Sequence, residues 1–204
     1  MPAKGGRYHH GDLRSALVDA AIGVIAERGV RDFSMAEASR RLGVTTAAPY
    51  RHFADRDELL AAVAIRALTV FATMLSAAAD AADTPAERLA GMAGAYVRFA
   101  AQQRPLFDTL FNSGLDKSRH PELQRAWEPV DALLSTAVLE VCDGDAVAAE
   151  ALSDAIEASA HGYAMLLSDG EYGHGPDVVS VTAARATAAA RALIAGRRAL
   201  RIPV

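Results

Sequence analysis

The sequence has a single cysteine, Cys142, and therefore no intrachain disulfide. Aromatic residues make up only 6% of it, with one tryptophan, and the β-branched residues that favour strands are thin. A sheet has little to be built from. The longest apolar run is broken by Arg66 and again by Asp80, so no segment of about 20 apolar residues is expected to span a bilayer. The first twelve residues are basic without an apolar stretch behind them, which is not the pattern of a secretory signal. A cytoplasmic protein is expected. Six histidines are present, but none stand at the i, i+4 spacing of a helical zinc motif, and no set of cysteines joins them. No metal and no cofactor is expected.

What the sequence does have is alanine, 46 of its 204 residues, within a hydrophobic content of 51%. Alanine is the best helix former, and the length suffices for a real core without staples. The fold class that follows is all-α. Net charge is −4 but uneven: residues 1–60 hold nine Lys/Arg against eight Asp/Glu, and residues 61–204 hold twelve against seventeen. The N-terminal part is the less acidic one.

Periodicity and capping signals predict about nine helices and no strand. Leu13, Ala16, Leu17, Ala20, Ala21, Val24 and Ile25 form the stripe of a first amphipathic helix, closed by Gly29. Ser34–Glu37 reads as a capping box opening a second, which stops at Gly43. Thr45 or Thr46 caps a short third helix through His52, and Asp55 opens a fourth that runs to about Ala79. Thr84-Pro85-Ala86-Glu87 starts a fifth, with Leu89, Met92, Ala93, Tyr96, Phe99 and Ala100 facing inward. A short sixth follows Arg104-Pro105; a seventh begins at Pro121 and should be kinked or split at Pro129. The eighth covers about 146–168 and the ninth about 177–198.

Two short helices around Gly43 in a 60-residue unit have the form of a helix-turn-helix, although the spacing alone also fits plain packing. In such a motif the second helix enters the major groove with its first turn on the base edges. Thr45, Thr46 and Ala47 are small enough for close approach, and Tyr50, Arg51 and His52 carry donors for phosphates. Ser34 and Arg56 stand at helix N-termini, where backbone N–H groups favour a phosphate oxygen. Arg7 and His9-His10 lie in an arm ahead of the first helix that has the composition to touch DNA.

The ordered set Phe33-Ser34-Met35, Ala38, Arg41, Gly43-Val44, Ala48 to Phe53 and Arg56 to Leu60 resembles the N-terminal domain of TetR-family transcriptional regulators. The opening Tyr8 to Arg14 and the pair His161-Gly162 are similar to a subgroup whose C-terminal domain is named for Trp, His and Gly. Ile156 to Ala160 lacks that subgroup's Trp, and Trp127 lies too far upstream to substitute. The resemblance implies that Tyr50 contacts phosphate, that Arg56 is the basic residue and Ser34 the hydroxyl at their helix starts, and that Thr45, Thr46 and Ala47 read bases. It implies a core role for Phe53 and leaves His52 divided between packing and phosphate. It further implies a homodimer on double-stranded operator DNA and a small-molecule inducer held by the C-terminal part. Residues 1–60 are then the DNA-binding domain, and 61–204 the sensing and dimerising one.

Phe71, Met74, Met92, Tyr96, Phe99, Phe107, Phe111, Trp127 and Met165 concentrate the chain's large side chains on its central helices. They read either as plain core or as the lining of a ligand cavity, with His161 and Tyr96 as its polar groups. The fourth helix, which opens near the DNA-reading segment and ends among these residues, is the natural lever between the two ends. The last two helices, dense in Ala and Ser/Thr (Ala148, Ala151, Ala155, Ser159; Ala184, Ala188, Ala192), are expected to form the homodimer interface as an isologous four-helix contact; the alternative is that they pack on each other within the chain. An enzyme is not expected: Asp169, Glu171, His174 and Asp177 share a Gly-rich loop without an acid–base motif around them. The alternative to a regulator is a helical small-molecule-binding or interaction protein without DNA contact.

Overall fold

A computed structural model describes residues 10–200, with side chains from Leu13 onward. Among the described residues there are eight α-helices and no strand: α1 (His10–Arg28), α2 (Met35–Leu42), α3 (Arg56–Asp80), α4 (Pro85–Gln102), α5 (Arg104–Asn112), α6 (Pro121–Val141), α7 (Ala146–Ser168) and α8 (Val178–Ala195). Arg7 and His9 lie outside the described residues.

The third predicted helix, over Thr45–His52, is a turn followed by a single 3₁₀ turn at Pro49–Arg51. The reason is Pro49, which has no N–H to return to Thr45. Most of the bonds made are shorter-range, Ala48 N–H to Thr45 C=O at 3.0 Å and His52 N–H to Pro49 C=O at 2.9 Å, with one helical bond at the end from Phe53 N–H to Pro49 C=O at 3.0 Å. No threonine side chain caps it. The other starts follow their sequence signals. Ser34 Oγ accepts from Glu37 N–H and Thr84 Oγ1 from the Glu87 N–H, both at 3.3 Å. Asp145 caps α7 through the Ala148 N–H at 3.1 Å. Helix α6 runs unbroken through Pro129.

The described chain divides into two compact units. One holds the residues up to Ala67 together with Pro105–Gln124; the other holds Leu68–Arg104 and the residues from Arg125 on. In the first, Leu17, Ala21, Val24, Phe33, Ala38, Phe53, Leu59 and Leu60 are buried. In the second, α4 packs on α8 and α7, and α7 on α8. The α4–α8 approach needs a glycine: a Cβ on Gly94 would fall on Thr187 Oγ1 and stand 3.1 Å from the Ala183 carbonyl oxygen.

Helix α3 is 25 residues long, about 38 Å at 1.5 Å per residue, and its chain continues from the first unit into the second. It corrects one expectation. By length and composition α3 and α8 are both apolar enough to cross a membrane, since a single Arg66 does not lower the mean hydropathy of the run enough. In α3 the apolar side is the core side: Leu59, Leu60, Val63, Ala67, Leu68, Phe71 and Leu75 are buried.

Candidate functional site

The first unit builds an exposed edge on a buried base. Gly43 ends α2 in the left-handed region (φ +67°), with its N–H on the Arg40 carbonyl at 3.1 Å. The chain then leaves α2 with Thr45, Thr46 and Ala47 exposed. Pro49 is buried beneath them, and Phe53, 1% exposed, anchors the far end with the Arg14 guanidinium 4.8 Å over its ring. Tyr50, by contrast, is 59% exposed. Arg51 is exposed as well, whereas His52 is half-buried. The Ser34 hydroxyl accepts the Glu37 amide and keeps its own hydrogen for an outside acceptor.

Several cations near this edge are matched within the unit. Glu37 meets Arg28 at 3.0 Å and also Arg40, and Arg41 meets Glu27 at 2.7 Å. Arg56 is matched differently. Its Nη2 donates to the Val30 carbonyl at 2.8 Å and its Nε to the Phe33 carbonyl at 3.1 Å.

In the second unit the structure brings four anticipated pocket residues together. Phe71 meets Tyr96 edge-on at 5.3 Å between centroids and lies 4.8 Å from Phe99. The Tyr96 hydroxyl and His161 Nδ1 share a hydrogen bond of 2.8 Å. Burial raises the Tyr96 phenol well above its ordinary pKa, and the nearby Glu157 charge adds to the effect, so the hydroxyl keeps its proton. Met74, Trp127 and Met165 are half-buried. Phe107 and Phe111 belong to the other unit, packed on each other with ring centroids 4.9 Å apart.

Two family models match this chain: bacterial regulatory proteins of the tetR family over residues 17–63, and the tetracyclin repressor-like C-terminal domain over residues 89–190, half of the chain. The chain belongs to the TetR family. It is thus a DNA-binding transcriptional regulator, in a family that is not one of enzymes. The HTH-type transcriptional regulator BetI of Brucella canis is 36% identical over 90 residues, 44% of each chain, so the match spans under half the length of the curated relatives. Among solved structures, a protein of unknown function from Rhodococcus sp. RHA1 has a TM-score of 0.68 at 29% identity, covering 92% of this chain and 98% of that one. The TetR family transcriptional regulator PfmR from Thermus thermophilus has a TM-score of 0.64 at 18% identity, covering 87% and 96%.

Sequence reasoning missed one feature of this TetR-family chain. A cleft of about 350 Å³ lies among Asp80, Arg88, Met92, Leu133, Thr136 and Glu140, bridged by an Arg88–Glu140 ion pair of 3.1 Å. Met92 is the only anticipated pocket residue in its lining. The pair joins residues 52 apart in the chain, which no local pattern reports.

Proposed function

We propose that this chain is a ligand-responsive repressor that binds operator DNA as a homodimer in the cytoplasm and is released by a small, largely apolar inducer. The observation that carries the DNA-contacting part is the exposure of Thr45, Thr46, Ala47, Tyr50 and Arg51 together, over buried Pro49 and Phe53. Small residues at the front of such a motif suit base edges, and the phenol and guanidinium suit phosphates. Ser34 serves a phosphate through its remaining hydrogen, and His52 contributes from the margin.

The inducer reading is supported by the Tyr96–His161 pair set among Phe71 and Phe99, polar groups held in apolar surroundings. The dimer reading is supported by α8, an apolar helix of which only Thr182, Ala183, Ala186, Ala190 and Ile194 are buried within its own chain. Val181, Ala184, Ala188 and Ala192 lie along its exposed side. Small side chains let a two-fold partner approach closely.

The deciding experiment is a gel shift of the full chain on DNA upstream of its own coding sequence, across a salt series. One fragment is preferred, and its binding weakens as salt rises, because bound phosphates release counterions. A chain with no sequence-preferring, salt-sensitive shift on any genomic fragment is instead a helical ligand-binding or interaction protein.

A further inference from the structure

Arg56 opens α3, where a cation and a helix N-terminus together invite a phosphate. Its guanidinium is engaged elsewhere. Nη2 and Nε hold the carbonyls of Val30 and Phe33 at 2.8 and 3.1 Å, and Nη1 lies 3.4 Å from Asp57 Oδ1. The guanidinium carbon stands 5.9 Å from the Phe33 ring centroid. Val30 and Phe33 have buried side chains and bracket the turn between Gly29, where α1 stops, and Ser34, which caps α2. The turn is therefore held by its own apolar side chains and by the Arg56 guanidinium on its carbonyls.

A guanidinium suits this task because its N–H groups diverge in a fixed plane, so one group holds two carbonyls at a set separation. An ammonium is a point charge and does not. Helix α2 leads directly through Gly43 to Thr45, Thr46 and Ala47, so the angle between α2 and α3 decides where the reading residues stand. We infer that Arg56 is a positioning residue for operator binding: it clamps the α1–α2 turn to the start of α3 through the Val30 and Phe33 carbonyls and holds no phosphate.

The inference rests on operator binding by this unit, and the test separates the two. Full-length parent, Arg56→Lys and Arg56→Gln are titrated onto one operator duplex across a salt series. With a clamp, both variants lose affinity by about tenfold or more, the scale of one charge-assisted hydrogen bond. The slope of log affinity against log salt stays as in the parent, because every phosphate contact remains. An Arg56→Lys protein that binds like the parent overturns the clamp. So does an Arg56→Gln protein whose slope falls by about 0.9, the value of one phosphate. A parent that shifts no duplex overturns both the operator reading and the clamp. If the variants fold poorly, the Arg56 Nε–H resonance of the parent decides, assigned through its proximity to the Phe33 ring. It keeps its shift when operator is added if it remains on the carbonyl; a change on addition overturns the clamp.

Discussion

At the scale of single residues, the exposed edge proposed to meet DNA separates two kinds of work. Tyr50 is exposed and ends in one hydroxyl, so Tyr50→Phe removes a donor and leaves the ring and its packing in place. Its affinity should fall by a similar factor on every duplex, with the order of preferred sequences unchanged. If Thr46 and Ala47 read bases as proposed, Thr46→Val should reorder preference at one or two positions, by about 1–3 kcal/mol for each well-formed bond to a base edge that it removes. Binding-site selection on parent and variants reads both outcomes. A Tyr50→Phe protein with changed preference and intact affinity would reverse the assignment. Gly94 offers a residue-scale test of packing, because its missing Cβ makes room for Thr187 and the Ala183 carbonyl. Gly94→Ala should lower stability by about 1–3 kcal/mol in a denaturant titration, as overpacking does, despite alanine's better helix propensity.

Among elements, α4 and α8 are tied by Glu87 and Arg191, whose carboxylate and guanidinium meet through three contacts of 2.7–3.1 Å. The Arg191 hydrogen bonds hold the Glu87 carboxyl below its ordinary pKa. A carboxyl whose pKa is depressed by folding adds stability above its unfolded value and loses it as pH falls through the folded value. The melting temperature of the parent should therefore exceed that of Glu87→Gln at neutral pH, by a small amount because the pair is exposed. The difference should shrink on acidification through the carboxylate range. The same α8 presents Ala184, Ala188 and Ala192 outward, away from the side on which Ala183, Ala186 and Ala190 are buried. Ala188→Arg should then leave the monomer folded and abolish the dimer in light scattering. A dimer of unchanged strength would place the interface elsewhere.

For the whole molecule, an inducer changes operator affinity only if it binds the DNA-competent and the DNA-incompetent states unequally; a coupling of about 1–3 kcal/mol gives a 5- to 150-fold change. Helix α3 is one covalent route between the unit that holds Thr45 to Arg51 and the Tyr96–His161 region, with Arg56 at one end and Phe71 beside Tyr96 further on. Met74, half-buried one turn beyond Phe71, is the place to disturb it. Met74→Trp should shift operator affinity without any ligand, in a protein that remains folded and dimeric. Unchanged affinity, and an unchanged response to any compound that releases the parent, would exclude α3 as the lever.

Much of this is legible in the order of residues alone. The all-α class follows from alanine and the poverty of strand formers, and the caps at Ser34, Thr84 and Asp145 from short-range hydrogen-bonding rules that local sequence obeys. The order of residues from Phe33 to Leu60 carries the family. The stripe from Leu89 to Ala100 expected to face inward on α4 is buried, but Ala90, Gly94, Ala95 and Val97 off that stripe are buried too, because α7 and α8 both pack on the helix. What the sequence does not carry is what depends on distant partners. Within the local rules, a proline at position 49 turns an expected helix into a 3₁₀ turn, a matter of one missing N–H. That Phe71 meets Tyr96 and Phe107 meets Phe111 is decided by packing, since all four read alike as apolar residues at helical spacing. The same holds for Arg56: its position marks a helix start, but only the tertiary fold brings the Val30 and Phe33 carbonyls, 26 and 23 residues away, within reach of its guanidinium. Local rules determine where helices begin; which groups a long side chain can reach depends on how the chain returns to it.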